Sequence, residues 1–190
     1  MVLSRHGSRL PLMALGLLLI AGCGFQLRGE VDLASELRTL NVTGVQSGSN
    51  LSRTLRQSLA NNGVEISANA VNTLAILDHS SSQRAVTFTG TGESAQYEVT
   101  SQIRFSLQNR NGTTLLGPDQ QSAQSTYQAD QNNTTASISE RQLLDRELEW
   151  DLVRKVMLRL QAISSTQLAE AHEAATEREL QQEQATSATQ

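Results

Sequence analysis

The chain holds one thiol and three imidazoles, and where they stand decides which chemistry is open to it. Cys23 follows Ile20-Ala21-Gly22 at the end of an apolar run. A sulfur in that place can take a diacylglyceryl thioether before the peptide bond in front of it is cut. With no second cysteine, an internal disulfide is excluded. His6 precedes the apolar run and His172 lies in a polar C-terminal stretch. Asp78 and His79 are neighbours, so on a strand their side chains point to opposite faces and form no catalytic pair. His and Cys are too few for a metal-ligand set. Gly90-Thr91-Gly92 lacks the helix and lysine of a phosphate loop. Glu147, Glu149 and Asp151 share a helical stretch with Arg146, Arg154 and Arg159, which describes a solvated charged face rather than an acid–base pair. Trp150 stands among these charges, either covering Arg154 one turn later or offering a contact point. No catalytic residue, metal ligand or cofactor site is expected, and the chain reads as a non-enzyme.

The segment that positions Cys23 has its own logic. Arg5, His6 and Arg9 precede an apolar run from Leu10 to Ala21. A membrane-spanning helix needs ~20 apolar residues, so this run is too short to be a permanent anchor. A basic start, a short apolar centre and small residues at its end describe a secretory signal. Its last residues resemble a lipobox, with Ile20 where Leu is usual. Residues 1–22 are therefore expected to be a removed signal peptide, and Cys23 an N-palmitoyl, S-diacylglycerol cysteine. Two or three acyl chains anchor firmly, since each buried CH₂ contributes ~0.8 kcal/mol. Gly24, rather than Asp, follows the cysteine, which resembles the sorting rule for export onward to the outer membrane.

From Cys23 onward the chain carries 13 basic and 19 acidic residues. That balance has no basic stripe of the kind nucleic acid requires. Hydrophobic residues make up 38% and aromatics 3%, enough for one modest aliphatic core.

The rest of the chain predicts an α+β fold: a two-layer sandwich with about four strands, mainly antiparallel or mixed, and two helices on one face. Alternation predicts a strand near 38–44. Ser49 or Asn50 can cap a helix on which Leu51, Leu55 and Leu59 form one stripe, ended by Asn62-Gly63. Val64 and Ile66 begin an extended stretch, and residues 73–89 form a strand with a polar middle. A hairpin turn at 90–92 leads to the clearest strand. Tyr97, Val99, Ile103, Phe105 and Leu107 line one face of it, and Gln96, Glu98, Thr100, Gln102, Arg104, Ser106 and Gln108 the other. Asn111-Gly112 turns into a polar edge strand near 120–129. Residues 131–137 are expected to be a loop, and Ser139 with Gln142 a capping box for a helix over about 140–163, where Asp151 and Lys155 can pair. Residues 23–168 then form one domain, and 169–190 a polar, disordered tail.

With these elements in place, Cys23-Gly24-Phe25-Gln26-Leu27-Arg28-Gly29 resembles the mature start of the LptE family of lipopolysaccharide-assembly lipoproteins. The resemblance continues through Ser82-Gln83-Arg84, residues 94–101, Asp151-Leu152-Val153-Arg154 and residues 157–161, in the same order of elements. It implies an outer-membrane protein without catalytic activity that sits, one to one, as a plug in the β-barrel of LptD. The pair inserts lipopolysaccharide into the outer leaflet. The lipoprotein supports assembly of the barrel and binds lipopolysaccharide itself.

The resemblance also implies basic residues near the hairpin tip and the start of the long helix. Here the tip, residues 88–93, has none, and the nearest candidates for lipopolysaccharide phosphates are Arg84 and Arg141. Exposed arginines without a ligand are the other reading of both. A structural lipoprotein of another envelope complex, or a tethered periplasmic enzyme, are the competing functions.

Overall fold

Thr39-Leu40-Asn41-Val42-Thr43 alternates polar and apolar residues, and it forms β1 (Thr39–Thr43) with Leu40 and Val42 buried. The structure, a computed structural model, describes residues 33–88, 90, 94–129 and 134–188. The signal peptide, Cys23, the 24–29 motif and most of the hairpin tip lie outside the described residues. A single 3-10 turn, Ser35–Leu37, leads into β1 and buries Leu37.

Helix α1 (Asn50–Asn61) starts where its cap predicts: Ser49 Oγ accepts from the Ser52 N–H at 3.1 Å. Leu51, Leu55 and Leu59 recur every four residues and are buried. Each contributes ~2 kcal/mol by leaving water. Asn62 caps the C-terminus, and the chain returns through β2 (Glu65–Ile66).

Three long strands follow: β3 (Asn72–Phe88), β4 (Ser94–Asn109) and β5 (Thr114–Gln128). The sheet order is β2-β1-β3-β4-β5. β1 runs parallel to β2 and β3, while β3, β4 and β5 are antiparallel neighbours. The sheet is thus mixed and has five strands rather than about four. β5 also begins six residues before the expected position. Gly117-Pro118 lies in a bulge of the added stretch, where the register slips between Phe105 and Leu107. The same crossing explains Ser106, placed by alternation on the wet face yet 2% exposed: Gly117 passes so close that a Cβ there would lie 3.3 Å from Ser106 Cα.

Two helices complete the layer. α2 (Thr134–Gln161) begins earlier than its expected capping box. Ser139 is inside it, with Oγ donating to the Thr135 carbonyl rather than capping the end. α3 (Ser165–Ser187) occupies the stretch expected to be a disordered tail; Ser164 caps it, its Oγ accepting from Gln167 N–H at 3.1 Å. Polar composition hid its anchor, because two of the three buried residues, Leu168, Ala171 and Ala175, are small. There are therefore three α-helices, not two, among the described residues. All pack into one hydrophobic cluster with Leu40, Leu74, Val99, Ile103 and Phe105 from the sheet. α2 crosses that face on a diagonal. Near its end Arg159 Nε donates to Asp119 Oδ2 of β5 at 2.7 Å, and one turn earlier Lys155 Nζ donates to the Ser122 carbonyl at 2.5 Å. Near its start Arg141 reaches Ser81 and Gln83 of β3 instead.

Candidate functional site

The period-two rule sorts the long strands into two faces, and the register aligns them in rows. Across β3, β4 and β5, one face carries Asp78–Arg104–Gln120, Ser80–Gln102–Ser122, Ser82–Thr100–Gln124 and Arg84–Glu98–Thr126. All twelve side chains are polar, and none is buried. The other face carries Ala85–Tyr97–Tyr127, Gln83–Val99–Ser125, Ser81–Ser101–Ala123 and His79–Ile103–Gln121. Helix α2 covers its centre, where Val99, Ile103, Ser101 and Ala123 are buried, and Tyr97 stacks on Tyr127 with centroids 5.6 Å apart. His79 faces Ser101 here, with Nε2 3.4 Å from the hydroxyl. The polar face has no helix partner in the core cluster. It is a broad candidate interaction surface among the described residues.

The two arginines singled out from the sequence fall on opposite faces. Arg84 lies on the polar one, and its Nε donates to Glu98 Oε1 directly across the ladder at 2.7 Å. That hydrogen bond, with the carboxylate's charge, raises the arginine's already high pKa. Its side chain stays 72% exposed, which leaves terminal nitrogens able to meet an anion. Arg141 is more fully used. Its Nε donates to both oxygens of Asp145 at 3.0 and 3.1 Å, and its terminal nitrogens donate to Gln83 and Ser81. It fastens the start of α2 to β3. One phosphate group cannot be gripped by both arginines, because the sheet lies between them.

Several polar groups invisible as a set in the sequence hold the frame behind these faces. Asn72 is 1% exposed, yet fully partnered: Nδ2 donates to the Glu36 carbonyl at 3.0 Å, and Oδ1 lies 2.8 Å from His172 Nε2. Glu179 clasps the β4–β5 turn, accepting from Thr113 Oγ1 at 2.5 Å, Asn109 Nδ2 at 2.7 Å and Asn111 Nδ2 at 2.9 Å. These hydrogen bonds, Thr113's first, hold its carboxyl below the usual range. Arg178 adds a bond to the Thr114 carbonyl at 2.9 Å. On α2, Asp151 pairs with Arg154 and, at 3.2 Å, with Lys155. The Arg154 hydrogen bond is the main cause of its lowered pKa. Trp150 is 57% exposed and lines a cleft of about 420 Å³ with Gln124 and Ser125 of β5 and with Glu147, Leu148, Asp151 and Arg154 of α2. Among the described residues, no group of three or more His, Cys, Asp or Glu is placed to hold a metal. No described helix is long and apolar enough to cross a membrane.

Comparison with known proteins places this arrangement. The family model described as "LptE: Lipopolysaccharide-assembly" matches residues 37–160. The LPS-assembly lipoprotein LptE of Photorhabdus laumondii subsp. laumondii is 24% identical over 172 residues, which is 89% of this chain and 93% of that protein. The protein of the same name from Yersinia pestis (strain Pestoides F) is 34% identical over 99 residues, 50% of this chain and 48% of that one. Among solved structures, an uncharacterized lipoprotein B from Nitrosomonas europaea has a TM-score of 0.61 at 15% identity, over 73% of this chain and 91% of that one. A minor lipoprotein from Acinetobacter baumannii has a TM-score of 0.58 at 19% identity, over 66% of this chain and 92% of that one. Both share the fold.

Proposed function

Because this chain belongs to the LptE family of lipopolysaccharide-assembly proteins, we propose that it is an outer-membrane lipoprotein, anchored through Cys23, that pairs one to one with the LptD barrel. In this reading it fills part of the barrel lumen, supports the barrel's assembly and helps pass lipopolysaccharide to the outer leaflet. It is a non-catalytic subunit. The observation that supports this best is the polar sheet face. Four rows of three polar side chains on long strands form a surface that a water-filled, hydrogen-bonding lumen can meet without burying an unpaired group. Its mixture of amide, hydroxyl and charge suits a wet interface better than a lipid one.

A photo-cross-linker placed at Gln102 or Arg104, near the middle of that face, should capture LptD in membranes, and LptD should copurify in roughly equal amount. Copurification of a different envelope protein, with LptD absent, would replace this reading with that of a structural lipoprotein of another complex.

Lipopolysaccharide presents phosphates, and of the two candidate arginines Arg84 is the one with donors to spare. Arg84→Ala is expected to weaken lipopolysaccharide binding by about tenfold, the scale of a lost charge-assisted hydrogen bond. Arg141→Ala should act through the fold, by freeing the start of α2 from β3. Binding to the purified variants, followed by displacement of a labelled lipopolysaccharide, separates the two effects. Undiminished binding by a folded Arg84→Ala/Arg141→Ala protein would place the ligand elsewhere.

A further inference from the structure

β5 is the long outer strand of the sheet, and its free edge is guarded along only part of its length. Exposed edges invite pairing with another chain, and proteins blunt them with bulges, proline and lysine. All three devices occupy the first half of this edge. Gly117-Pro118 interrupts the ladder, Arg178 donates to the Thr114 carbonyl, and Lys155 donates to the Ser122 carbonyl. Among the described residues, none of these devices falls beyond Ser122. There α2 runs on along its diagonal, walling a cleft beside Gln124 and Ser125 before Arg141 meets Ser81 and Gln83 of β3. The Lys155 bond also marks the register. It reaches the Ser122 carbonyl at the sheet's edge, and in an antiparallel strand both polar backbone groups of alternate residues point the same way. Gln124, Thr126 and Gln128 therefore present their N–H and C=O groups outward, and all three are exposed. Beside this stretch lies the cleft walled by Trp150, an exposed aromatic with no packing role in the core cluster.

We propose that the Gln124–Gln128 edge of β5 is a strand-addition site for a short extended segment of the partner protein, with an apolar side chain of that segment seated against Trp150. The inference rests on the pairing with a barrel partner proposed above and names where one contact forms. The occupant follows from the chemistry. Backbone donors and acceptors repeated along an edge are matched by another extended backbone, and the adjoining cleft supplies side-chain selection. The open stretch is about 17 Å long, enough for some five residues rather than for a whole sheet.

The test uses hydrogen exchange on the full lipoprotein, free and in the complex with LptD purified from membranes. In the complex, the amides of Gln124, Thr126 and Gln128 are expected to exchange at least about tenfold more slowly, while Ser125 and Tyr127, which already face β4, change little. Thr126→Pro removes one outward N–H and leaves the β4 pairing intact. It should weaken the complex about tenfold more than Thr126→Val, which makes the same loss of the side-chain hydroxyl but keeps the N–H. Trp150→Ala should weaken it as well. An intact complex without protection of these amides overturns the strand addition and leaves the functional reading standing. Absence of any complex overturns both. Protection that appears in the free protein as its concentration rises would assign the edge to a second copy and overturn the proposal.

Discussion

Gly44→Ala is expected to lower folding stability by about 3–4 kcal/mol, whereas Gly48→Ala, four residues on, lowers it by about 1 kcal/mol. Both glycines sit in the left-handed region, at φ +78 and +84. An L side chain there costs ~1–2 kcal/mol, partly offset by ~0.4–1 kcal/mol from the stiffer unfolded chain. What separates them is space. A Cβ on Gly48 meets nothing within 4 Å, but one on Gly44 would lie 1.9 Å from the Ile76 carbonyl oxygen and 2.9 Å from its carbon. That oxygen belongs to a strand. Thr43 pairs with Ala75 immediately before this point, and β3 bulges immediately after it. Relief requires prising β1 from β3, which loosens Val42 and Ile76 in the core. Overpacking of this kind costs ~1–3 kcal/mol. For a chain of this size the Gly44 variant should melt on the order of 10 °C lower. Thermal and urea unfolding of the two variants beside the parent would check it. Equal losses would mean that the end of β1 stands farther from β3 than described.

The same neighbourhood shows what local pattern can and cannot reveal. β1, α1 and most of β4 were legible because one rule governs each. Alternation set the faces of β1 and β4, and a serine cap with leucines every four residues set α1. The misreadings have physical causes as well. Gly117-Pro118 breaks a strand in isolation, but at the sheet's edge a bulge absorbs it, so the first half of β5 was missed. α3 looked like a tail because alanine carries a weak apolar signal. Its hold on the domain also depends on partners about 70 to 100 residues away: Glu179 on Asn109, and His172 on Asn72. No window along the chain contains both ends of such a bond.

The candidate site divides in the same way. That β4 has a polar face could be read from its own residues. That the face widens into four three-residue rows depends on the register of β3 and β5, including the shift between Ile76 and Asp78 that resets which residues of β3 point outward. Arg84 and Arg141 illustrate the limit most clearly. Both are basic and both were placed near one end of the fold by order of elements. Only the pleat puts Arg84 on one side of the sheet, while its neighbour Gln83 holds Arg141 on the other.

Cys23→Ala is expected to abolish acyl labelling and to leave the chain uncut between Gly22 and residue 23, because the peptidase that reads a lipobox acts on the lipidated thiol. The change in membrane hold should be large. A single acyl chain binds a bilayer with an association constant of only ~10⁴ M⁻¹, and two or three make the attachment stable. Nine residues, 24–32, lie between the cysteine and the first described residue, Leu33. Fully extended they reach at most ~32 Å, so the proposed lipid on Cys23 would keep the domain close to the membrane surface. Normal cleavage and acyl labelling of the Cys23 variant would refute the lipobox. A second form, exported behind a signal cut by the ordinary signal peptidase and beginning at Gly24, tests what the anchor is for. If the polar sheet face supplies the hold on the barrel, this unlipidated form should still copurify with LptD once both are in the periplasm, though in smaller yield. The lipid then serves delivery and orientation, bringing the face to the barrel while it assembles. Complete loss of the barrel from that form would assign the attachment to the lipid and leave the twelve polar side chains without a partner.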